Sequence, residues 1–548
     1  MSVIDLPIDV VCEFFRQAAL ADPPRRKKGD TIDDLYFSRS RPQGFALGWI
    51  ILTHVCRQWR TIGIEHMAPL WASIVTVFQK PAIADELASR ARDCDLNLNV
   101  TGWYGSPSPK QKEMHDWVVE RVQRARSLYC HPPLNINRAG NTMRAALDGN
   151  HLPALRQLDL RSDPSYHNDD SLNIFELNAP YLITANLSNA LPAPSSSLQN
   201  LRELQLDFAQ SLSPISMKRI IDLLRVPVRL EKLSLRCTHR ITAPEDPDSV
   251  ADVVKLEYLT KLELVLRDAD HASELLDSIS APSVIIFKLN VQLAPTESLH
   301  KLLGESIQPY LAQQPFDIVS FTTNQLILAQ SHNHDGDSAG RLDSVFALYF
   351  PQVSQPKAYA EVLDVLASNS ASTFSAIIRC ELGPAVDHQY DPYDLERPET
   401  VTAFRAALER IGGVMVNAST VCLPGDTLHY LALELMAQQP PDSFFPALKR
   451  LGVGNGNDGL TKYTEESAGM WWDTLQEGLR NRMRSEKPVT SVVLEGKWCT
   501  REPWTHAWTR RVMESRKIGL TEKAIDVRDL LNACHYCQMN LLGIMSWI

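Results

Sequence analysis

Apolar positions recur along this chain at two periods, and the change of period divides it. Near the start, Leu6, Val10, Phe14 and Ala18 fall on one stripe, with Val11 and Phe15 beside it. That spacing predicts an amphipathic helix over residues 3–20, with Asp5 suited to the N-cap and Pro7 to the first turn. Residues 22–44 lose the period, and Pro23, Pro24, Arg25, Arg26, Lys27, Lys28 and Gly29 predict a polar loop. A second helical run covers residues 47–64, and Pro69, Leu70 and Trp71 open a third short element.

From about residue 96 the period shortens to two. Leu96, Leu98 and Val100, then Leu134 and Ile136, predict short strands. A Leu-x-x-Leu-x-Leu pattern follows at Leu155-Leu158-Leu160, Leu201-Leu204-Leu206, Leu230-Leu233-Leu235 and Leu259-Leu262-Leu264. Weaker copies are Leu182-Ala185-Leu187, Val284-Phe287-Leu289, Phe316-Val319-Phe321 and Leu448-Leu451-Val453. Starts at 155, 182, 201, 230, 259 and 284 are spaced 27, 19, 29, 29 and 25 apart. These spacings lie within or next to the range of about 20–29 residues that marks leucine-rich repeats. In such a repeat the three apolar residues point inward from a short strand, and each repeat adds one strand to a curved parallel sheet. Residues 215–224 and 272–279 suit the returning helices. The plainer alternative is an irregular α/β domain with coincidental leucines.

The pattern is expected to fade between about 325 and 440, where residues 358–367 and 401–411 read as helices. It returns with the strand after Leu448, a helix over 470–483 carrying Trp471, Leu475 and Leu479 on one face, and a last strand over 489–494.

Composition narrows the function classes. The chain has 548 residues, 44% hydrophobic and 22% charged, which is globular and too apolar for wholesale disorder. With 55 Lys and Arg against 65 Asp and Glu, its net charge of −10 argues against nucleic acid or an anionic membrane as the main partner. No run of about 18 apolar residues predicts a membrane span. The first residues do not read as a secretory signal, and the 10 cysteines are scattered, so a reducing intracellular compartment, cytoplasm or nucleus, is expected.

The first 75 residues resemble an F-box. Leu6-Pro7-x-Asp9-Val10-Val11-x-x-Phe14-Phe15 is similar to the opening of that family. Val55-Cys56-Arg57-Gln58-Trp59-Arg60 and Ala68-Pro69-Leu70-Trp71 are similar to its later blocks, in the same order. The whole chain resembles the F-box proteins with irregular leucine-rich repeats that are abundant in mushroom-forming fungi. The resemblance implies a small helical module docking on the Skp adaptor, and through it a cullin, of an SCF-type ubiquitin ligase. It also implies repeats that hold a protein substrate, and no catalytic residue or cofactor in this chain. The adaptor surface would then draw on Leu6, Pro7, Val10, Val11, Phe14, Val55, Trp59, Leu70 and Trp71. The segment 22–48 is longer than the compact family pattern.

The architecture expected is therefore α/β: an F-box-like domain over 1–80, a connecting segment over 81–150, a leucine-rich solenoid over 151–515 with helices on its convex side, and a cap over 516–548. Within each Leu-x-x-Leu-x-Leu strand, the residue between the last two leucines points away from the core. Asp159, Gln205, Ser234 and Glu263, flanked by Arg161, Asp207, Arg236 and Lys261, are the substrate-facing candidates. They are polar and of both signs, which suits a polar or charged segment.

Other constellations carry less. Gly336-Asp337-Ser338-Ala339-Gly340 matches a nucleophile elbow, but the residues before it are polar and cannot form the buried strand that motif needs. A serine hydrolase at Ser338 is the remote alternative, and a leucine-rich scaffold without ligase association the nearer one. His332, His334, Asp335 and Asp337 lack a spaced second ligand pair, and Cys534-His535-Tyr536-Cys537 is a lone C-x-x-C, so no metal is expected. Arg25-Arg26-Lys27-Lys28 reads as a solvated loop or a nuclear import signal. Trp471, Trp472, Trp498, Trp504 and Trp508 crowd the C-terminal part as core or substrate anchors. Gly452-x-Gly454-x-Gly456 runs into an Asn-rich loop and does not suit a dinucleotide.

Overall fold

A computed structural model describes residues 6–26, 44–100, 109–130, 140–161, 173–208, 215–238, 241–242, 252–293, 296–322, 325–331, 342–349, 356–382, 398–424, 430–454, 465–495, 497–499, 510–511, 513–514, 516–526 and 529–531. The chain divides into two compact units, Met1–Leu259 and Thr260–Ile548. That division falls inside the expected solenoid; the boundaries expected at 80, 150 and 515 are neither required nor removed by it. Both units are mixed α/β, with mostly parallel strands and flanking helices.

The first unit opens with helices α1 (Ile8–Ala21), α2 (Arg57–His66), α3 (Ala68–Ala72) and α4 (Pro81–Ala91). The helical run expected over 47–64 is two pieces. A 3-10 turn, Gly48–His54, ends before Cys56, whose extended backbone (φ −156°) starts α2 and whose Sγ accepts the Trp59 N–H at 3.5 Å. The break lets both pieces pack on α1. Their shared core is aromatic: Phe15 meets Trp49 edge-on at 6.0 Å, and Trp49 meets Trp71 edge-on at 4.7 Å. The Trp71 indole donates to the Gly63 carbonyl at 2.7 Å, so the one polar atom of this buried ring is satisfied.

The two ends of the 22–48 segment meet. Arg25 pairs with Ala46 and Arg26 with Phe45 in an antiparallel ladder, and the Trp49 N–H donates to the Asp22 carbonyl at 3.0 Å. Gly48 makes this closure possible. Its φ is +56°, and a Cβ there would lie 2.3 Å from the Asp22 oxygen.

Six parallel strands follow in the first unit: β1 (Leu96–Val100), β2 (Ala125–Cys130), β3 (Gln157–Arg161), β4 (Thr184–Ser188), β5 (Glu203–Asp207) and β6 (Lys232–Cys237). The strand expected at 134–136 lies outside the described residues, and β2 precedes it. Helices α5 (Pro109–Arg121), α6 (Gly140–Leu147) and α7 (Met217–Leu224) intervene. Leu98, Leu128, Leu158, Ala185, Leu204 and Leu233 are register partners, so the leucines form one buried row. At three strand entries one carbonyl accepts two N–H groups from the next repeat. Arg156 serves Ile183 and Thr184, Ile183 serves Arg202 and Glu203, and Arg202 serves Glu231 and Lys232, all at 2.7–3.1 Å.

The second unit carries β7 (Lys261–Asp268), β8 (Ile286–Leu293), β9 (Ile318–Thr322), β10 (Gln325–Ser331), β11 (Leu342–Tyr349), β12 (Arg379–Leu382), β13 (Thr420–Pro424), β14 (Arg450–Gly454), β15 (Ser491–Glu495) and β16 (Lys523–Asp526). Among its helices are α8 (Ala269–Ser278), α9 (Thr296–Lys301), α10 (Gln308–Ala312), α11 (Pro356–Asn369), α12 (Ala371–Ser375), α13 (Pro398–Val414), α14 (Tyr430–Gln438) and α15 (Glu465–Arg484).

Between 325 and 440 the parallel repeat is interrupted at β10 and β11 and resumes at β12 and β13. The Asp317, Ile378, Ser419 and Lys449 carbonyls make the same double acceptance, and β12, β13, β14 and β15 pair in parallel succession. The leucine positions are filled by Ile377, Cys380 and Leu382, then by Ala418, Val421 and Leu423, all buried. The chemistry of burial is kept while the first two leucines of each set are replaced.

One irregularity is topological. β10 pairs antiparallel with both β9 and β11, and β11 pairs parallel with β8. The spatial order is therefore β8-β11-β10-β9-β12. A three-strand meander is set into an otherwise parallel ladder.

Candidate functional site

The residues expected on the adaptor surface separate into two groups. On α1, Val10 and Phe14 stand one turn apart and are exposed, at 37% and 52%, and Val55 is exposed at 53%. Pro7 is exposed, while Leu6 and Leu70 are half-buried. Val11, Trp59 and Trp71 are buried, where they hold the helices together. The stripe facing inward on α1 is Val11, Cys12 and Phe15, not the stripe through Val10 and Phe14. Ile8 and Ile51, which the motif reading passed over, are exposed as well. Ile8 also borders an open cleft of about 640 Å³ against Cys56, Arg57, Gln58, Thr61, Ile62, Glu65 and His66 of the α2 region. The signal for Ile8 and Ile51 was available only as apolar residues adjoining the core stripes.

The strand candidates lie in register. In the first unit, Asn99, Tyr129, Asp159, Asn186, Gln205 and Ser234 form one row. Arg161, Ser188, Asp207 and Arg236 form the next. Gln205 and Arg236 are exposed, and Asn186, Asp207 and Ser234 half-buried. Asp159 departs from the expectation that it faces a ligand: it is only 7% exposed, with the Arg161 guanidinium 3.5 Å away. Its register neighbours are Tyr129 and Asn186, and Tyr129 Oη donates to Gln157 Oε1 at 3.0 Å. Burial, with the Asp159 charge adding to it, pushes the Cys130 thiol up to about 12.

In the second unit Glu263 receives Lys261 at 3.2 Å and Lys288 at 3.1 Å. Burial works to raise its carboxyl, but the hydrogen bonds from the two lysines outweigh it, and the group sits below its ordinary value. Along the same row Ala347 and Ile327 are apolar, Ser320 and Glu381 polar again, and Val493 at its far part is buried. Asp159, Arg161, Lys261 and Glu263 therefore meet opposite charges within this chain.

Ser338, His332, His334, Asp335, Asp337, the Cys534–Cys537 segment, Trp504 and Trp508 lie outside the described residues, as do the side chains of Trp471 and Trp498. Trp472 is buried in the α15 core. Gly452 and Gly454 belong to strand β14. Among the described residues, no three His, Cys, Asp or Glu side chains gather as a metal site would need, and no helix is long and apolar enough to cross a membrane.

No family model matches the sequence, and no curated protein does. Among solved structures, one similar chain is the leucine-rich repeat-containing protein LegL7 from Legionella pneumophila. It is 10% identical, over 63% of this chain and 83% of that one, with a TM-score of 0.23. A score of that size leaves the leucine-rich-repeat description to rest on the strand ladder itself.

Proposed function

We propose that the chain is a non-catalytic protein-binding scaffold of the leucine-rich-repeat type, acting inside the cell as substrate adaptor of an SCF-type cullin-RING ubiquitin ligase. One observation carries the scaffold reading. Leucine rows face inward and polar rows outward, strand after strand, held in register by the paired acceptance at these strand entries. Such stacking makes an extended recognition surface from short repeats. The ligase part is the finer claim. It is supported by the F-box-like blocks and by apolar Val10, Phe14 and Val55 left exposed on a bundle whose core is already filled by Val11, Trp59 and Trp71. In this reading ubiquitin transfer belongs to other subunits. A scaffold without ligase association is the second reading; the strand ladder supports it directly, and it makes no demand on the helices.

Affinity purification of the full chain from cells with the proteasome blocked tests both. The ligase reading expects a Skp-type adaptor and a cullin to co-purify. Val10→Asp with Phe14→Asp should weaken that association by about 30-fold or more, the scale of a lost interface anchor. Captured substrates should persist in this variant. Wild-type chain that brings down other proteins but no adaptor removes the ligase reading and keeps the scaffold.

A further inference from the structure

We infer that the strand face of the first unit selects an uncharged, hydrogen-bonding peptide segment, rich in Ser, Thr, Asn and Gln, in preference to a charged one. The inference rests on the reading of that face as the substrate surface. Three adjoining rows define it. The first is Asn97, Ser127, Gln157, Thr184, Glu203 and Lys232. The second runs from Asn99 through Asn186 and Gln205 to Ser234, and the third from Arg161 to Arg236.

Charge on this face is already neutralised from within. Lys232 Nζ lies 2.6 Å from Glu203, Arg161 3.5 Å from Asp159, and Asp207 stands opposite Arg236 in the register. At the strand entries, Arg202 meets Glu231 at 3.3 Å. Every carboxylate in the three rows has a base beside it. Among the described residues of these rows acidic and basic groups balance three to three, so a charged peptide finds no net opposite charge or competes with an existing pair.

The uncharged positions offer something different. Asn97, Asn99, Gln157, Thr184, Asn186, Gln205 and Ser234 present carboxamides and hydroxyls on strands about 4.8 Å apart. A carboxamide both donates and accepts, so neighbouring ones can meet peptide N–H, C=O and neutral polar side chains without moving a charge. Neutral groups also lose water at far lower cost than ions do. The face is thus matched to a neutral polar strand by charge balance and by donor and acceptor supply together.

The test uses the full chain and three synthetic peptide classes: neutral Ser/Thr/Asn/Gln-rich, Lys/Arg-rich and Asp/Glu-rich. The neutral class should bind tightest, with affinity changing less than about twofold as salt shortens the screening length from about 10 Å to about 3 Å. Asn186→Leu with Gln205→Leu should cut that binding by about tenfold or more. Gln205→Lys is the second variant, at an exposed position where folding is undisturbed, and should shift preference toward the acidic class. Charged peptides that bind best to wild-type chain, and are lost in the Asn186/Gln205 variant, overturn the inference while keeping the face as the substrate surface. Neutral binding that is unaffected by either variant overturns it too. No binding by any class overturns it together with the reading on which it rests.

Discussion

Replacing Arg482 with methionine tests how the second unit holds a strained bend. Arg482, on α15, is only 1% exposed. Its Nη2 donates to the Phe445 carbonyl at 2.6 Å and to the Phe444 carbonyl at 3.3 Å, and Nη1 donates to Phe445 again at 3.2 Å. The bend it grips has Phe445 at φ +46°, a left-handed conformation that costs roughly 1–2 kcal/mol for a residue with a side chain. Burial pulls the Arg482 guanidinium down to about 10 from 12.5, which corresponds to a penalty of about 3 kcal/mol for keeping the charge indoors. Methionine removes that penalty. It also removes charge-assisted hydrogen bonds of about 1.5–3 kcal/mol each and leaves the Phe444 carbonyl without its donor, at about 1–3 kcal/mol, while the Phe445 carbonyl keeps the Leu448 N–H at 3.0 Å. The losses exceed the relief, and the net destabilisation expected is about 2–4 kcal/mol. Native-state hydrogen exchange of residues 444–454 reads it directly, as opening that rises roughly 30- to 900-fold. Exchange unchanged from wild type, or slower, would show that burial of the charge dominates and that the bend needs no clamp.

Two further substitutions probe other parts of the molecule. Gly48→Ala places a Cβ 2.3 Å from the Asp22 oxygen at a positive φ, so it should destabilise the α1–α2 bundle by about 2 kcal/mol or more, seen as a lower melting temperature and lost exchange protection in α1. His271 is raised above its ordinary value chiefly by its hydrogen bond with Asp268, the N-cap of α8. The stability it supplies is complete below about pH 6.5 and is lost as pH rises through the elevated folded value. Asp268→Asn should bring the histidine's NMR titration down toward its ordinary midpoint, and a midpoint that does not move would refute the pairing.

The repeat was legible wherever leucine itself fills the inward positions, because the period of two and the spacing between repeats are both visible in one residue type. It was not legible at Ile377-Cys380 and Ala418-Val421, where other apolar residues do the same work and the pattern drops below what an irregular sequence contains. The meander was hidden because Phe316-Val319-Phe321 looks like any other strand, and the leucine code does not say which neighbour it pairs with. The helical module was legible in order and length. Its faces were not, since Val10 and Val11 are identical in type and differ only in which side of α1 meets Trp49 and Trp59. Asp159 followed the alternation and was still buried, because period two gives a direction and not a degree of exposure.

The meander also bears on the order in which the second unit assembles. Thr322 pairs with Gln325 across a reversal two residues long, whereas Ile318 finds Arg379 only after the chain between them has been drawn closed. Closure entropy grows with the logarithm of the segment length, so the longer closure costs about 2–3 kcal/mol more. The antiparallel hairpin can therefore form on the timescale of local encounters, before any parallel neighbour is in place. Once formed, it offers β11 one edge of β10 and offers β12 the free edge of β9, and growth can proceed from both sides of a seed. A strand that breaks the regularity of the finished ladder is thereby the cheapest place for that ladder to begin.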